Sequence, residues 1–216
     1  IETITYMVEG SFRHRDSRGG GGVLVPGSVQ WMTAGRGIIH SEMPEMREGR
    51  LWGYQLWLNL AAKDKMVPPR YQQLDPQQIP VVQEPGLTVR VIAGAYGGRT
   101  GPAETFYPVS YLDVRLREAG SFALPRSGQD SALLYVHTGR VDVVQPDGPR
   151  PVEEGELALL GPGSRLQVRA CPGTEEAGFL YIAGAPHNEP IARGGPFVMN
   201  TAEEIRQAFR DYQSGS

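Results

Sequence analysis

The fold prediction depends on one stretch of the chain, Pro26-Gly-Ser-Val-Gln-Trp-Met-Thr-Ala-Gly-Arg-Gly-Ile-Ile-His-Ser-Glu-Met-Pro44. Within it, Gly35 and Gly37 are typical of a flexible turn. His40 and Glu42 follow two residues apart, so that on a strand both side chains would point to the same face. A neutral imidazole and a carboxylate suit a first-row transition metal such as iron, manganese or nickel. The stretch therefore predicts a strand that carries two ligands of a metal site.

Composition narrows the kinds of protein this chain can be. Its 216 residues suffice for one large domain or two small ones. The 21 Lys and Arg against 24 Asp and Glu give a net charge of -3, which does not favour direct nucleic-acid binding. The sequence has no apolar run of about 18 residues and no signal-peptide pattern, and its one cysteine, Cys171, has no disulfide partner. We expect a soluble monomer of the cytoplasm, or of the nucleus in a eukaryote, that does not contact membranes.

Short strand patterns separated by turn residues run along most of the chain. The 28 Gly and 18 Pro are typical of a turn-rich β protein. Strands are predicted at 3–8, 12–14, 23–25, 28–32, 53–60, 87–93, 109–116, 132–137, 140–144, 157–160, 165–169 and 178–183. The segment from Leu74 to Pro85, rich in Gln and Pro, is predicted to be a surface loop. This spacing predicts a β-sandwich or a β-barrel.

One structural unit occurs twice in the sequence. Three pairs of segments match in order: Tyr6–Gly10 with Tyr135–Gly139, Pro26-Gly27 with Glu154-Gly155, and Gly35-Arg-Gly37 with Gly161-Pro-Gly163. At the matched positions, His40 and Glu42 of the first copy are equivalent to Leu166 and Val168 of the second. The repeat therefore predicts two similar β-domains, with a metal site in the first and apolar packing in the second.

The repeated unit with the motif Pro-Gly-x6-Ala-Gly-x-Gly-x2-His-x-Glu resembles the pirins, a branch of the cupin superfamily. Other segments similar to pirins are Tyr6–Gly10 with Arg13-His-Arg-Asp-Ser17, Gln55-Leu-Trp-Leu-Asn-Leu60 and Gly195-Pro-Phe-Val-Met-Asn-Thr201. The resemblance covers essentially the whole chain. It implies an all-β fold of two tandem cupin-type barrels, a bicupin, with one metal in the N-terminal barrel and none in the C-terminal barrel.

The same resemblance implies a metal site of three histidines and one glutamate. Only His40 and Glu42 can be carried over to this sequence. In pirins the other two histidines form a His-x-His motif just before the strand with which this sequence opens. We therefore expect two further histidines upstream of Ile1 and interpret the sequence as N-terminally truncated. The implied metal is iron, with Mn, Ni, Cu, Zn or Co as alternatives.

The domain prediction has three parts. They are an N-terminal metal-site barrel at 1–103, a metal-free C-terminal barrel at 104–199 and a C-terminal helical part at 200–216. A helix is predicted at 202–213 because Thr201 and Glu204 have the spacing of a capping box. Its single apolar face is formed by Ile205, Ala208, Phe209 and Tyr212.

Other polar residues have alternative interpretations. His14 is interpreted as a solvated strand-edge residue rather than a substitute metal ligand. Glu2 lies where many other cupins place a metal carboxylate, although pirins use the later glutamate. Gln55, Trp57 and Asn59 alternate with leucines, which ordinary strand amphipathicity explains, although the polar face could contact a ligand.

The remaining histidines and the cysteine are not predicted to be functional. His137 and His187 are interpreted as structural or surface residues. Cys171 has no basic neighbour in the sequence closer than Arg169 and no paired histidine, so it is not predicted to be a nucleophile.

The resemblance implies two functions. The first is a metal-dependent dioxygenase of the quercetin 2,3-dioxygenase type that acts on a flavonol-like small molecule. Glu42 would then be both a metal ligand and the catalytic general base. The second is a non-catalytic, iron-dependent regulator that binds a transcription factor or a metabolic enzyme. A third interpretation is a metal-free remnant whose barrels serve structure only.

Overall fold

A computed structural model describes residues 1–16, 19–46 and 48–215 of the chain. Ser17 of the pirin-like segment and Ser216 of the predicted helical part lie outside these residues. The described chain forms two compact units. The first contains residues 1–76 and the segment that begins at His187, and the second contains residues 77–186. Strands dominate both units, which confirms the predicted all-β class with two cupin-type barrels and a short C-terminal helix.

Two antiparallel sheets form the barrel of the first unit, which we call the first barrel. Its strands are Glu2–Glu9 (β1), Phe12–Asp16 (β2), Gly21–Leu24 (β3), Val29–Thr33 (β4), His40–Pro44 (β5), Trp52–Leu58 (β6) and Arg70–Leu74 (β7). One sheet has the order β6-β1-β4-β7 and the other the order β3-β2-β5. Short 3-10 helices lie at Ala62–Asp64 and Pro76–Gln78. The strands β1 and β4 are buried along nearly their whole length, so they form the centre of this unit.

The loop between β4 and β5 positions His40, which is the first residue of β5. Gly35 has a positive φ of 53°, and a Cβ added there would lie 2.0 Å from the carbonyl oxygen of Val67. The neighbouring Arg36 donates its backbone N–H to the same carbonyl at 2.9 Å. Only glycine fits this approach, because any side chain would collide with the backbone. The glycine turn read from the sequence thus anchors the loop that leads into β5.

The second unit contains the second barrel. Its strands are Val81–Glu84 (β8), Leu87–Ala93 (β9), Ala95–Tyr96 (β10), Arg99–Thr100 (β11), Val109–Arg117 (β12), Ser121–Pro125 (β13), Ser131–Thr138 (β14), Arg140–Val143 (β15), Arg150–Glu153 (β16), Leu157–Leu160 (β17), Arg165–Ala170 (β18) and Glu176–Gly184 (β19). A six-stranded sheet has the order β17-β14-β19-β12-β9-β8, and a four-stranded sheet has the order β13-β18-β15-β16. The strand β8 lies inside the segment 74–85 that was predicted to be a loop, so that prediction was wrong for Val81–Glu84. These residues form a hairpin with β9 across the turn at Pro85-Gly86, which the Gln- and Pro-rich composition of the segment did not indicate.

The interior of the second barrel is one apolar core. Both sheets contribute to it, with Phe122, Val143, Leu166, Val168 and Tyr181 among its buried members. Leu166 and Val168 are 3% and 0% exposed. This confirms the apolar packing predicted for the second copy at the positions equivalent to His40 and Glu42.

The same pattern of backbone hydrogen bonds occurs inside each of the two units, which confirms the internal repeat. In the first unit, Met7 accepts a bond from the N–H of Gly27 at 2.8 Å and donates to Ser28 at 3.0 Å. In the second, Val136 accepts from Gly155 at 2.8 Å and donates to Glu156 at 3.0 Å. A pairing irregularity follows each of these residues, at Met7/Glu9 and at Val136/Thr138. The second copy therefore repeats the backbone of the first, whereas the interior side chains differ.

The segment that begins at His187 belongs to the first unit. It contains the strands Ala192–Gly194 (β20) and Phe197–Met199 (β21) and the helix Ala202–Ser214 (α1). Lys65 donates from Nζ to the Val198 carbonyl at 3.3 Å, and the backbone N–H of Ala62 donates to Glu189 Oε2 at 2.7 Å. The compact units are therefore divided at other points than the predicted boundaries 103 and 199, because residues 77–103 pair within the second unit and the C-terminal strands return to the first.

The helix α1 begins as the sequence predicts. The side chain of Thr201 accepts from the Glu204 backbone, and Glu204 accepts from the Thr201 backbone, which completes the capping box. Phe209 packs edge-to-face on Phe197 of β21 with ring centroids 5.0 Å apart. Across the described residues, no helix combines the length and the apolarity needed to span a membrane.

We predict that Leu166→Ala lowers the free energy of unfolding by about 2–5 kcal/mol, because it leaves a cavity in the second barrel. Leu159→Ala is the matched control, since Leu159 lies on β17, the strand that precedes β18 in the chain, and is 80% exposed. The control should change stability by less than about 0.5 kcal/mol. Chemical denaturation followed by circular dichroism measures both values, and equal losses would contradict the apolar core.

Candidate metal centre

His40 and Glu42 lie together on β5, as the sequence predicts. Their side chains converge, with His40 Nδ1 3.8 Å from Glu42 Oε1. Both of these atoms are buried and make no hydrogen bond. A buried polar atom without a partner is costly in a native protein, and a bound ion or water is a common reason for one. The pair therefore presents two donor atoms toward a shared position.

His14 is the third polar side chain at this place. It lies on β2 directly across from Glu42 in the antiparallel register. Only 5% of it is exposed, so the prediction of a solvated strand-edge residue was wrong. Its register-equivalent in the second unit is Val143, which pairs with Val168 inside the apolar core. His14 therefore belongs to the barrel interior, and local sequence could not show this because burial depends on the opposite sheet.

Tyr71 of β7 covers the imidazole of His14. The two rings are stacked with centroids 5.7 Å apart. Burial, and then the negative charges of Asp16 and Glu42, raise the pKa of Tyr71 to about 12. Its buried hydroxyl has no hydrogen-bond partner. At neutral pH the Tyr71 phenol therefore stays protonated and can donate a hydrogen bond.

Burial is also the largest influence on His14. It lowers the pKa of the imidazole, whereas the Gln73 side chain and the carboxylates of Asp16 and Glu42 raise it. The balance favours the neutral ring, in which one nitrogen donates and the other accepts. The interior around Glu42 thus offers both a phenol donor and a neutral imidazole.

The polar interior of the first barrel is a property of its side chains and not of its backbone. Gln55 of β6 pairs with Thr5 of β1, and the equivalent pair in the second unit is Tyr181 with Leu134. Both Tyr181 and Leu134 belong to the apolar core. His14 and Gln55 are polar at positions that are apolar in the other copy, and this difference would have identified them. The comparison needs the strand register, which the sequence alone did not provide.

Glu2 lies on the opposite face of its sheet from the candidate centre. It is fully buried and accepts a hydrogen bond from the Thr33 hydroxyl at 2.6 Å. Thr5, three residues along β1, contacts Gln55 at the centre. Because successive strand residues alternate between faces, Glu2 and Thr5 point to opposite sides of the sheet. Glu2 is therefore not a ligand of this centre.

The remaining histidines and the cysteine have structural contacts. His137 is buried, and its Nε2 lies 3.0 Å from Asp113 Oδ1 in the second unit. His187 contacts the backbone carbonyl of Asn59 at 3.0 Å through Nε2. Burial raises the pKa of the Cys171 thiol, which disfavours the reactive thiolate. The contacts of His137 and His187 agree with the structural interpretation of these two residues.

The two donor atoms, His40 Nδ1 and Glu42 Oε1, are suited to part of the coordination shell of a transition metal. An imidazole nitrogen and a carboxylate oxygen, both buried and unpartnered, are ligands of the kind that iron, manganese and nickel accept. Among the residues that the structure describes, no group of three or more His, Cys, Asp or Glu side chains is placed to hold a metal ion. His40 and Glu42 thus offer two candidate donor atoms, and a complete coordination shell requires others.

Sequence profiles of one family match both parts of the chain. The profile described as Pirin matches residues 1–58, and that of the Pirin C-terminal cupin domain matches residues 111–216. A Pseudomonas aeruginosa protein named as a candidate quercetin 2,3-dioxygenase is 44% identical over 225 residues, which cover 100% of this chain and 76% of that protein.

Solved structures of similar proteins match the fold of this chain. A crystal structure of quercetin 2,3-dioxygenase from Acinetobacter baumannii matches with a TM-score of 0.92 and 37% identity, covering 99% of this chain and 75% of that one. A bacterial pirin from Escherichia coli, solved in complex with nickel(II), shares the fold at a TM-score of 0.66 and 21% identity, covering 86% of this chain and 72% of that one.

We predict that wild-type protein loses stability on acidification more steeply than His14→Asn. The folded state lowers the pKa of His14 below its ordinary value of 6.5. The unfolded chain therefore takes up a proton near pH 6.5 that the buried ring resists, so the contribution of His14 is lost as pH falls. Urea denaturation at pH 8, 7, 6 and 5 measures the difference. The two proteins should run parallel between pH 8 and 7, and parallel curves down to pH 5 would contradict the burial effect.

Proposed function

Because this chain belongs to the pirin family, we propose that it is a metal-dependent oxygenase of the quercetin 2,3-dioxygenase type. The observation that supports the proposal is the convergence of His40 Nδ1 and Glu42 Oε1, both buried and unpartnered, in a polar barrel interior. The same positions are apolar in the second barrel. The substrate proposed is a flavonol-like small molecule.

His40 and Glu42 would hold the metal together with further ligands. A bound metal would lower the pKa of a chelated substrate hydroxyl and hold the substrate beside oxygen. Iron is the metal proposed, and the nitrogen and oxygen donors also suit manganese, nickel, copper, zinc or cobalt. The choice among these depends on ligand geometry and on metal supply.

The side chains around the metal pair have separate tasks in this proposal. The Glu42 carboxylate accepts the proton of the flavonol 3-hydroxyl as general base. Tyr71, whose pKa is raised to about 12, remains a hydrogen-bond donor toward substrate oxygens. His14 stays neutral, so that it can donate or accept without adding a charge beside the metal. The buried interior limits water around these groups, which strengthens each polar interaction.

We predict that the protein binds about one iron per chain and that His40→Ala removes at least about 90% of it. The reason is that each transition-metal site depends on every one of its few ligands. His187→Ala is the matched control, since His187 contacts the Asn59 carbonyl through Nε2. Elemental analysis after dialysis measures the content. Equal iron in wild type and His40→Ala would overturn the site assignment.

We predict that Glu42→Gln lowers flavonol cleavage by about a hundredfold or more, the range expected for loss of a general base. Loss of quercetin absorbance, with release of carbon monoxide, measures the reaction. Glu45→Gln is the matched control, because Glu45 pairs with Arg13 at the end of the same strand. Activity that survives Glu42→Gln would point to adventitious oxidation. Metal binding without any cleavage would instead favour the regulator interpretation.

A further inference from the structure

Gln55 is a polar side chain whose role the sequence did not distinguish from ordinary strand amphipathicity. It is exposed, and an exposed glutamine without contacts has considerable rotamer freedom to lose. Three hydrogen bonds nevertheless hold its amide group. Its register-equivalent in the second barrel is Tyr181, which lies in the apolar core. The placement of Gln55 therefore needs a specific reason.

The amide nitrogen of Gln55 holds one oxygen of Glu42. Gln55 Nε2 donates to Glu42 Oε2 at 3.3 Å and to the Thr5 hydroxyl at 3.3 Å. The other carboxylate oxygen, Oε1, is the unpartnered atom that lies 3.8 Å from His40 Nδ1. The two oxygens of Glu42 thus have different surroundings. One is held by an amide, and the other is left available beside His40.

Trp57 fixes which way the Gln55 amide points. Its indole Nε1–H donates to Gln55 Oε1 at 3.3 Å. An indole N–H can only donate, so the atom that it faces must be the amide oxygen. The NH₂ group of Gln55 is thereby directed toward Glu42 and Thr5. A flipped amide would place two donors against each other at Trp57 and two acceptors against each other at Glu42.

Arg193 in turn covers Trp57. Its guanidinium lies over the indole ring, 5.3 Å from the ring centroid, which is within the range of a cation–π contact. Arg193 is on β20, in the C-terminal segment that packs within the first unit. Lys65 anchors this segment through the Val198 carbonyl of β21. A chain of contacts therefore runs from the C-terminal strands to the carboxylate of the candidate metal centre.

We infer that Gln55 is a positioning residue that orients Glu42 so that Oε1 faces the metal, and that Trp57 and Arg193 hold Gln55 in that orientation. This inference rests on the proposed function, because it assigns Gln55 to the ligand shell behind Glu42. Partners that orient a metal ligand commonly change metal affinity by about 10- to 100-fold when they are replaced. The C-terminal segment would then contribute to the centre without touching the metal.

In the test, Co²⁺ is titrated into the protein. The affinity and the visible absorption spectrum are recorded, and the spectrum reports coordination geometry. Gln55→Leu should weaken Co²⁺ binding about tenfold and change the spectrum, because Glu42 loses its hydrogen bond. Trp57→Phe and Arg193→Ala should give smaller losses in that order. Trp57→Phe keeps the ring beneath Arg193 and removes only the N–H.

Two control variants separate these effects from general destabilisation. Gln72→Leu removes a glutamine from the same sheet on the opposite face, and Arg206→Ala removes an arginine of α1 that pairs with Glu203. Neither should change the affinity or the spectrum. An unchanged spectrum and affinity in Gln55→Leu would overturn the inference while leaving the metal site intact.

A second measurement decides the case in which wild-type protein binds no Co²⁺, which would contradict the proposed function. Crystal structures of wild type and Gln55→Leu then show the conformation of Glu42 directly. A Glu42 carboxylate that turns away from His40 only in the variant supports the positioning role. An identical Glu42 conformation in both proteins overturns it.

Discussion

The antiparallel register between β2 and β5 is the constraint on which the candidate metal centre depends. It sets His14 opposite Glu42, and the two-residue period of β5 places His40 on the same face as Glu42. A slip of one residue would turn every one of these side chains to the other face. The loop anchored at Gly35, where only glycine fits against the Val67 carbonyl, leads the chain into β5. Backbone geometry therefore decides the chemistry at this place.

The two barrels use one backbone pattern for opposite purposes. Equivalent hydrogen bonds at Met7 and Val136 show the shared pattern. In the second barrel the interior is filled by apolar side chains, whose burial stabilises the fold. In the first barrel, His14, His40 and Glu42 leave buried polar atoms without partners, which opposes stability by about 1–3 kcal/mol for each such atom unless a ligand satisfies it. Functional sites commonly depart from optimal packing in this way.

The C-terminal segment extends this argument beyond the barrel strands. It joins the first unit through contacts at Lys65 and Ala62 and places Arg193 over Trp57. None of these residues is a metal ligand in our proposal. Arg193 nevertheless connects to Glu42 through Trp57 and Gln55. In our proposal the orientation of the Glu42 carboxylate therefore depends on strands more than a hundred residues away in the sequence. The repeat explains the two barrels, and this returning segment explains why the first unit is not a continuous stretch of chain.

The sequence by itself determined the strand-rich class, the internal repeat, the capped C-terminal helix and the shared strand of His40 and Glu42. Each of these depends on residues that are close in sequence or on a direct comparison of two copies. Only the tertiary structure decided that His14 is buried and that Gln55 holds Glu42. Cross-strand register and burial arise from pairing between distant segments. The local periodicity of one strand does not identify the strand with which it pairs. The two candidate ligands could therefore be identified from the sequence, whereas the residues that surround them could not.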